Sequence, residues 1–178
     1  MRSRLVEHFA WVSDKGTWSS GADRNGWLRD PAILREIGPA LAGLFADEKP
    51  TVVLGPQSSG FSLGALVAVH LGAGFVGARR EINNYTDSDI WTTATTPPDY
   101  RDRHLEFGYR ERLVSAGDTV LVVDDWVDTG GQLSAMKSLV AASGGRYLGA
   151  AVIVDALASH AVRRDLGVRS LLHVRDLR

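Results

Sequence analysis

Three carboxylates and an anion-binding turn lie close together in the segment LVVDDWVDTGGQ, residues 121–132. Asp124 and Asp125 end an apolar run, and Asp128 follows shortly after. Two carboxylates at the end of an apolar strand are costly to remove from water unless they have partners. They can accept hydrogen bonds from sugar hydroxyl groups, or they can face a hydrated Mg²⁺ ion.

The turn at residues 128–132 favours an anion. It lies between a predicted strand and a predicted helix, where successive backbone N–H groups attract negative charge. Thr129 adds a hydroxyl donor, and the glycines allow close approach. Carboxylates for hydroxyl groups beside a cradle for phosphate describe a ribose 5-phosphate. The alternative, a plain turn with a solvated acidic loop, explains neither the apolar run nor the glycines.

Composition narrows the class of protein. The 178 residues, 44% hydrophobic and 23% charged, suit one globular domain. A net charge of −1 gives no general attraction to nucleic acid or to anionic membrane, and the absence of cysteine excludes disulfides and thiolate metal sites. The five histidines show no metal-ligand spacing. Without a signal-like start or a run of about 18 apolar residues, we expect a cytoplasmic protein.

Strands and helices alternate from about residue 51 onward. This order predicts an α/β fold, a doubly wound and mainly parallel sheet with helices on both faces, in which ligands bind beyond the carboxyl ends of the strands. The predicted strands are 51–55, 74–80, 119–125, 147–155 and 169–174, and the predicted helices between them are 61–72, 132–143 and 159–167.

Three other segments are less regular. Residues 30–48 predict a helix with Asp30 as N-cap and Pro31 in the first turn, which Pro39 should bend or split. Residues 1–29 are rich in tryptophan, glycine and polar residues and predict no clear element. Residues 81–104 have little periodicity and predict a long functional or mobile loop.

One glycine pattern misleads. GAGFVG, residues 72–77, matches the dinucleotide fingerprint G-x-G-x-x-G, which needs a strand before it and a helix after it. Here a predicted helix comes first and a predicted strand follows. We therefore interpret the segment as a tight helix-to-strand turn.

Residues 120–132 resemble the phosphoribosyl pyrophosphate (PRPP) motif of type I phosphoribosyltransferases. Residues 52–80 are similar to the strand, pyrophosphate loop, helix and next strand of the adenine phosphoribosyltransferase branch. LEFG at 105–108 resembles that branch's L-E-Y-G, and residues 150–168 resemble its late strand and hood. The resemblance covers roughly residues 27–174.

The resemblance implies a PRPP-dependent transfer in a single domain. It assigns the termini, residues 1–29 and part of 155–178, to a small hood and residues 81–104 to a mobile lid. It also implies Mg²⁺ bound mainly through PRPP and a homodimer. The PRPP-binding residues would be Asp124, Asp125, Asp128, Thr129, Gly130, Gly131 and Gln132. Pyrophosphate would be bound by Gln57, Ser58, Ser59, Gly60 and Arg79, the last often across a dimer interface.

On the side of the base, the resemblance implies two catalytic carboxylates, Asp128 and Glu106. It also places Trp126 and Val127 beside the base. A wall residue without a ligand is an equally good interpretation of Trp126. Trp11 and Trp18 are candidates for the hood, although ordinary core or interface packing explains them better.

Three positions depart from the adenine branch. Ser59 stands where that branch usually has arginine, Gln132 replaces a common threonine, and Asp128 replaces alanine. The aspartate is typical of branches that use 6-oxopurines, so the acceptor base stays open. Two other functions stay open as well: a PRPP- or nucleotide-binding regulator that lacks turnover, and a hydrolase of nucleoside phosphates.

Overall fold

The computed structural model describes residues 1–13, 20–83, 88, 90–97 and 104–177. Its strands are β1 (Ala10–Ser13), β2 (Ser20–Asp23), β3 (Val52–Pro56), β4 (Gly74–Ala78), β5 (Trp91–Thr95), β6 (Glu106–Arg110), β7 (Thr119–Val127), β8 (Arg146–Asp155) and β9 (Val168–His173). Its α-helices are α1 (Arg2–Glu7), α2 (Asn25–Arg29), α3 (Pro31–Gly43), α4 (Ser59–Leu71), α5 (Gly131–Ala142) and α6 (His160–Asp165).

A five-stranded parallel sheet forms the centre, in the order β4-β3-β7-β8-β9. Because all five strands run the same way, their carboxyl ends meet at one edge of the sheet. The predicted doubly wound α/β architecture is confirmed.

Alternate residues of the central strands enter two separate cores, as the period of two in a strand requires. Leu54, Val122 and Val152 are buried on the face that α5 covers. Val53, Leu121 and Ile153 are buried on the opposite face, beneath α3 and α4. The helices therefore cover both faces of the sheet.

Helix α3 begins as predicted but differs in its middle and at its end. The Asp30 carboxylate accepts hydrogen bonds from the N–H groups of Ala32 and Ile33, at 2.6 and 3.3 Å. The helix continues through Pro39 to Gly43, so the predicted split into two pieces is wrong. Burial of its apolar stripe offsets the backbone hydrogen bond that proline cannot donate.

The segment 81–104 is not wholly irregular, which corrects the expectation of one long loop. Strand β5 pairs antiparallel with β6, and Arg79 forms an isolated bridge with Gly108. The Tyr109 hydroxyl donates to the carbonyl of Leu139, 2.9 Å away, which ties this hairpin to α5. Residues 84–87, 89 and 98–103 lie outside the described part of the chain, so a mobile lid stays a prediction.

The interpretation of GAGFVG as a turn is confirmed. Helix α4 ends at Gly72, whose φ of 66° is left-handed, and β4 begins at Gly74. The order is helix, turn, strand.

Both ends of the chain meet near the carboxyl edge of the sheet. The indole N–H of Trp11 donates to the carbonyl of Leu177, 2.7 Å away, and Arg2 pairs with Asp176 at 3.1 Å. Trp18 lies outside the described residues. The assignment of the termini to a hood stays a prediction. Within the described part of the chain, no helix is long and apolar enough to cross a membrane.

Candidate active site

A cavity of about 300 Å³ opens at the carboxyl edge of the sheet, where β3 and β7 lead into α4 and α5. The structure therefore brings the predicted sugar, phosphate and pyrophosphate segments together. The cavity is lined by Arg24, Gln57, Ser58, Ser59, Arg80 and every residue from 124 to 133.

Asp124 is the more enclosed of the acidic pair, with 3% of its surface exposed. Its Oδ1 accepts from the backbone N–H of Asp125 at 2.9 Å, and its Oδ2 accepts from the side-chain amide of Gln132 at 2.6 Å. Burial, with the adjacent carboxylate of Asp125, raises the pKa of Asp124 to about 8. In the unliganded protein this carboxyl group is therefore mainly protonated at neutral pH.

Asp125 has a cationic partner that the sequence did not reveal. Arg24, between β2 and α2, places Nη1 2.9 Å from Asp125 Oδ2. The Arg24 guanidinium also lies 6.0 Å from the ring centre of Trp126. The two residues are about a hundred positions apart, and no local spacing could have connected them.

The turn at the start of α5 has the form of an anion cradle. Gly130, at the N-cap, has a φ of 85°, which side-chain-bearing residues rarely adopt. A Cβ atom there would also lie 2.9 Å from Cγ1 of Val162. Asp128 and Thr129 are exposed to the cavity, and the backbone N–H groups of the first turn of α5 follow them. Such groups carry partial positive charge that attracts phosphate.

The second loop, Gln57–Gly60, rests directly on β7. A Cβ atom at Gly60 would lie 2.6 Å from Cδ of Pro56 and 2.9 Å from the carbonyl oxygen of Val123. A Cβ atom at Gly55 would lie 2.1 Å from the carbonyl oxygen of Gly60. Only glycine permits this approach, so the main chain of this loop packs directly against the main chain of β3 and β7. The Gln57–Ser58 peptide bond is cis.

Arg79 and Arg80 lie in different cavities. Arg80 lines the main cavity, with its guanidinium 5.5 Å from the ring centre of Phe107. Arg79 lines a neighbouring cavity of about 370 Å³, which also includes Gln57. Sequence reasoning named Arg79 and missed Arg80, although alternation along an extended chain separates adjacent side chains in this way.

Trp126 belongs to an aromatic cluster built largely by the N-terminal segment. Its ring centre lies 6.2 Å from that of Phe9, nearly parallel, and 6.1 Å from that of Trp11, nearly perpendicular. Trp126 lines the main cavity, as does Val127, whose side chain is largely committed to the core with 3% exposed. Contact of either residue with a base stays a prediction.

Glu106 is not brought to the main cavity. It is the exposed first residue of β6, paired with Thr95 of β5, and it is not among the residues that line the cavity. A catalytic role for Glu106 stays a prediction from the resemblance alone.

A second cavity of about 240 Å³ adjoins the first and is walled mainly by apolar side chains. It shares Arg24, Ser59 and Asp125 with the main cavity. Trp27, Leu63 and Ile153 form its buried wall, and Ala22, Asn25 and Leu28 complete it.

The donor set suits a Mg²⁺ ion that arrives with a phosphorylated ligand. Mg²⁺ prefers oxygen ligands and is commonly held by one or two carboxylates together with substrate phosphates. Asp124 and Asp125 offer such carboxylates beside the cradle. Within the described residues there is no group of three or more histidines and carboxylates that could hold a metal ion alone.

Comparisons with known proteins give matches over most of the chain. A model of the phosphoribosyl transferase domain matches residues 27–174. The chain is 34% identical over 130 residues to an adenine phosphoribosyltransferase of Natranaerobius thermophilus, covering 72% of each chain. It is 35% identical over 154 residues to one of Methylococcus capsulatus, covering 82% of this chain and 84% of the other. The crystal structure of adenine phosphoribosyltransferase from Rhodothermus marinus superposes with a TM-score of 0.80 at 28% identity, covering 97% of both chains.

Proposed function

Because the chain belongs to the phosphoribosyl transferase domain family, we propose that it transfers the ribose 5-phosphate group of PRPP to a purine or purine-like base. The products are a nucleoside 5-monophosphate and pyrophosphate. The observation that carries this proposal is the cavity in which the acidic pair, the cradle at the start of α5 and residues Gln57, Ser58 and Ser59 meet.

The proposed binding mode follows the chemistry of each wall. Asp124 and Asp125 accept hydrogen bonds from the ribose 2- and 3-hydroxyl groups. The backbone N–H groups of residues 129–132 and the Thr129 hydroxyl bind the 5-phosphate. The Gln57–Gly60 loop and Arg80 bind the pyrophosphate group.

In the reaction, a ring nitrogen of the base forms a bond to C1 of the ribose. The bond from C1 to the pyrophosphate oxygen breaks, and pyrophosphate leaves with the electron pair. The ring nitrogen loses its proton, which the exposed carboxylate of Asp128 is placed to accept. Negative charge grows on pyrophosphate, where the Arg80 guanidinium and backbone N–H groups stabilise it.

Mg²⁺ belongs to the proposal as a partner of PRPP. When bound, the ion would neutralise charge on the pyrophosphate oxygens. Asp124 and Asp125 are the residues that would face it, directly or through water. The hydrogen bonds that Asp124 accepts from Gln132 and from the Asp125 backbone would hold its carboxylate in place.

A homodimer through the β4 edge is part of the same proposal. Strand β4 ends the central sheet, and Phe75 on it is 37% exposed and contacts Phe61 of α4 edge-on at 6.2 Å. Val69 of α4 is 83% exposed. Arg79 follows β4 and lies outside the main cavity, a position from which it could complete the site of a second copy.

The regulator without turnover is the second candidate. The absence of an arginine at Ser59 favours it, since one charge contact to pyrophosphate is missing from the loop. Arg80 in the cavity favours the enzyme, because it supplies a cation from the next strand end.

The test is incubation with PRPP, Mg²⁺ and a panel of purine bases, with nucleotide and pyrophosphate measured by chromatography. We expect both products with at least one base, in equal amounts. PRPP binding without product from any base would overturn the transferase and leave the regulator. Release of free ribose phosphate without nucleotide would indicate a hydrolase.

A further inference from the structure

We infer that the Arg24 side chain donates hydrogen bonds to the acceptor base and selects heterocycles that carry a ring carbonyl group, such as 6-oxopurines, over adenine. The inference rests on the proposed function and concerns the part of the site that it leaves open. It begins from the position of Arg24 at the junction of the two cavities, which it lines together with Ser59 and Asp125.

Two contacts fix the guanidinium in this position. Nη1 forms an ion pair with Asp125 Oδ2 at 2.9 Å, and the group lies 6.0 Å from the ring centre of Trp126. An ion pair and an aromatic face together hold the plane of a guanidinium better than either alone. Among the described residues these are its only partners, and a guanidinium carries five N–H donors.

Asp125 can serve Arg24 and the sugar together. A carboxylate has two oxygens and about four sites for hydrogen bonds. Arg24 pairs with Oδ2, and this contact leaves other acceptor sites of the carboxylate for a ribose hydroxyl group. Since C1 of the ribose is bonded to C2, a base joined at C1 lies beside the hydroxyl groups that Asp125 is proposed to hold. The Arg24 guanidinium is thereby within reach of the base.

The adjoining cavity suits a flat ring. Its wall of Trp27, Leu63 and Ile153 is buried and apolar, with each residue no more than 2% exposed. The indole N–H of Trp27 already donates to the Leu5 carbonyl at 2.8 Å, so Trp27 offers only apolar surface. The cation at the mouth of this cavity is Arg24, and it determines which polar edge of a ring is accepted.

Arginine distinguishes oxo-substituted rings from adenine by its donors. Two parallel N–H groups match a carbonyl oxygen and a neighbouring ring nitrogen, as in the pairing of arginine with O6 and N7 of guanine. Adenine has no carbonyl oxygen, and its exocyclic amine would place donors against donors. Discrimination of about 5- to 150-fold is expected from such a pair.

The test compares kcat/KM for hypoxanthine, guanine, xanthine and adenine in the full chain with saturating PRPP and Mg²⁺. We expect at least one oxopurine to exceed adenine. In Arg24→Met the ratio of the best oxopurine to adenine should fall by about 5- to 150-fold. In Arg24→Lys the ratio should also fall relative to the wild type, because an ammonium group lacks the two parallel donors. Arg29→Met removes an exposed arginine of α2 outside both cavities and should leave the ratio as it is.

Binding of the product nucleotides keeps this inference separate from the proposed function. Calorimetry with inosine and adenosine 5-monophosphates needs no turnover, and thermal unfolding verifies that each variant folds. Preference for the oxopurine nucleotide that is lost in Arg24→Met supports the inference even if no base is turned over. Preference of the wild type for adenine, or a variant that affects all bases by the same factor, would overturn it and leave the transferase intact.

Discussion

The side-chain amide of Gln132 donates a hydrogen bond of 2.6 Å to Asp124 Oδ2 and joins the first turn of α5 to the last residues of β7. The cradle for phosphate and the carboxylate for the sugar are thus connected by a direct contact. The glutamine stands where relatives in the family commonly have threonine. It gives the buried carboxylate a second donor besides the backbone N–H of Asp125.

Gln132→Met keeps the length of the side chain and removes the donor. We expect weaker PRPP binding, by about two- to tenfold, because a hydrogen bond contributes about 0.5–1.5 kcal/mol. Calorimetry of PRPP binding with Mg²⁺ measures the change. Ser138→Ala, farther along α5, is the control, and equal loss in both variants would contradict a specific role for Gln132.

The buried carboxyl group of Asp124 should make unfolding depend on pH. Its pKa is about 8 in the folded protein, against an ordinary value of 3.8 in the unfolded chain. Between these values the folded protein holds a proton that the unfolded chain has released. The stability that this group contributes is therefore complete below about pH 4 and is lost as pH rises through about 8.

Asp124→Asn should remove this loss, since an amide does not ionise. Thermal unfolding of the unliganded protein between about pH 5 and pH 9 is the measurement. The wild-type Tm should fall more across this range than that of the variant, by about 2–4 °C for each kcal/mol of stability lost. Asp128→Asn, at an exposed position, should retain the wild-type slope; parallel curves for Asp124→Asn and wild type would contradict the expectation.

Asp128 and Asp124 should affect different steps. Asp128→Asn is expected to lower kcat by about 100- to 10,000-fold, the usual contribution of a proton acceptor, with little change in PRPP affinity. Asp124→Asn should weaken PRPP binding instead. Single-turnover rates and PRPP titrations separate the two effects, and unchanged turnover in Asp128→Asn would remove Asp128 from the mechanism.

The two adjacent arginines should also differ. Arg80→Met is expected to weaken pyrophosphate binding about tenfold or more, because Arg80 lines the cavity of its own chain. Arg79→Met should act only where a second copy receives the side chain. The test is a mixed dimer of one Arg79→Met chain and one chain inactivated at Asp128. We expect one of its two sites to remain active, namely the site of the Arg79→Met chain, which receives Arg79 from the partner chain.

Gly130→Ala should destabilise the protein by about 1–3 kcal/mol, since it combines a left-handed φ with a clash against Val162. Urea unfolding measures the change. Gly43→Ala at the end of α3 adds the same methyl group where nothing lies within 4 Å, and it should be neutral or stabilising. Equal stability of the two variants would contradict the strain.

Features set by neighbouring residues could be predicted from the sequence. The continuous apolar run predicted β7, and the alternation of strands and helices predicted the sheet. The small residues between a strand end and a helix start predicted the cradle at residues 128–132. Strand β5 was missed because its surroundings lack a period, although Thr92 and Thr93 are β-branched residues that favour strands.

Features that depend on chain reversal could not be predicted. Arg24 reaches Asp125 only because the N-terminal segment folds back over the carboxyl edge of the sheet. The same fold-back brings Phe9 and Trp11 against Trp126. Neither contact can be predicted from the spacing of neighbouring residues. The separation of Arg79 from Arg80, in contrast, follows from the alternation of side chains along an extended chain and could have been predicted.

The main chain at Gly60 packs directly against the main chain of β7 at Val123. No side chain separates the loop proposed for pyrophosphate from the strand that leads to the phosphate cradle. We expect this main-chain packing to set the distance between the two segments that bind the anionic ends of a ligand. We therefore expect a phosphorylated sugar one carbon longer or shorter than PRPP to bind more weakly than PRPP, whatever the base.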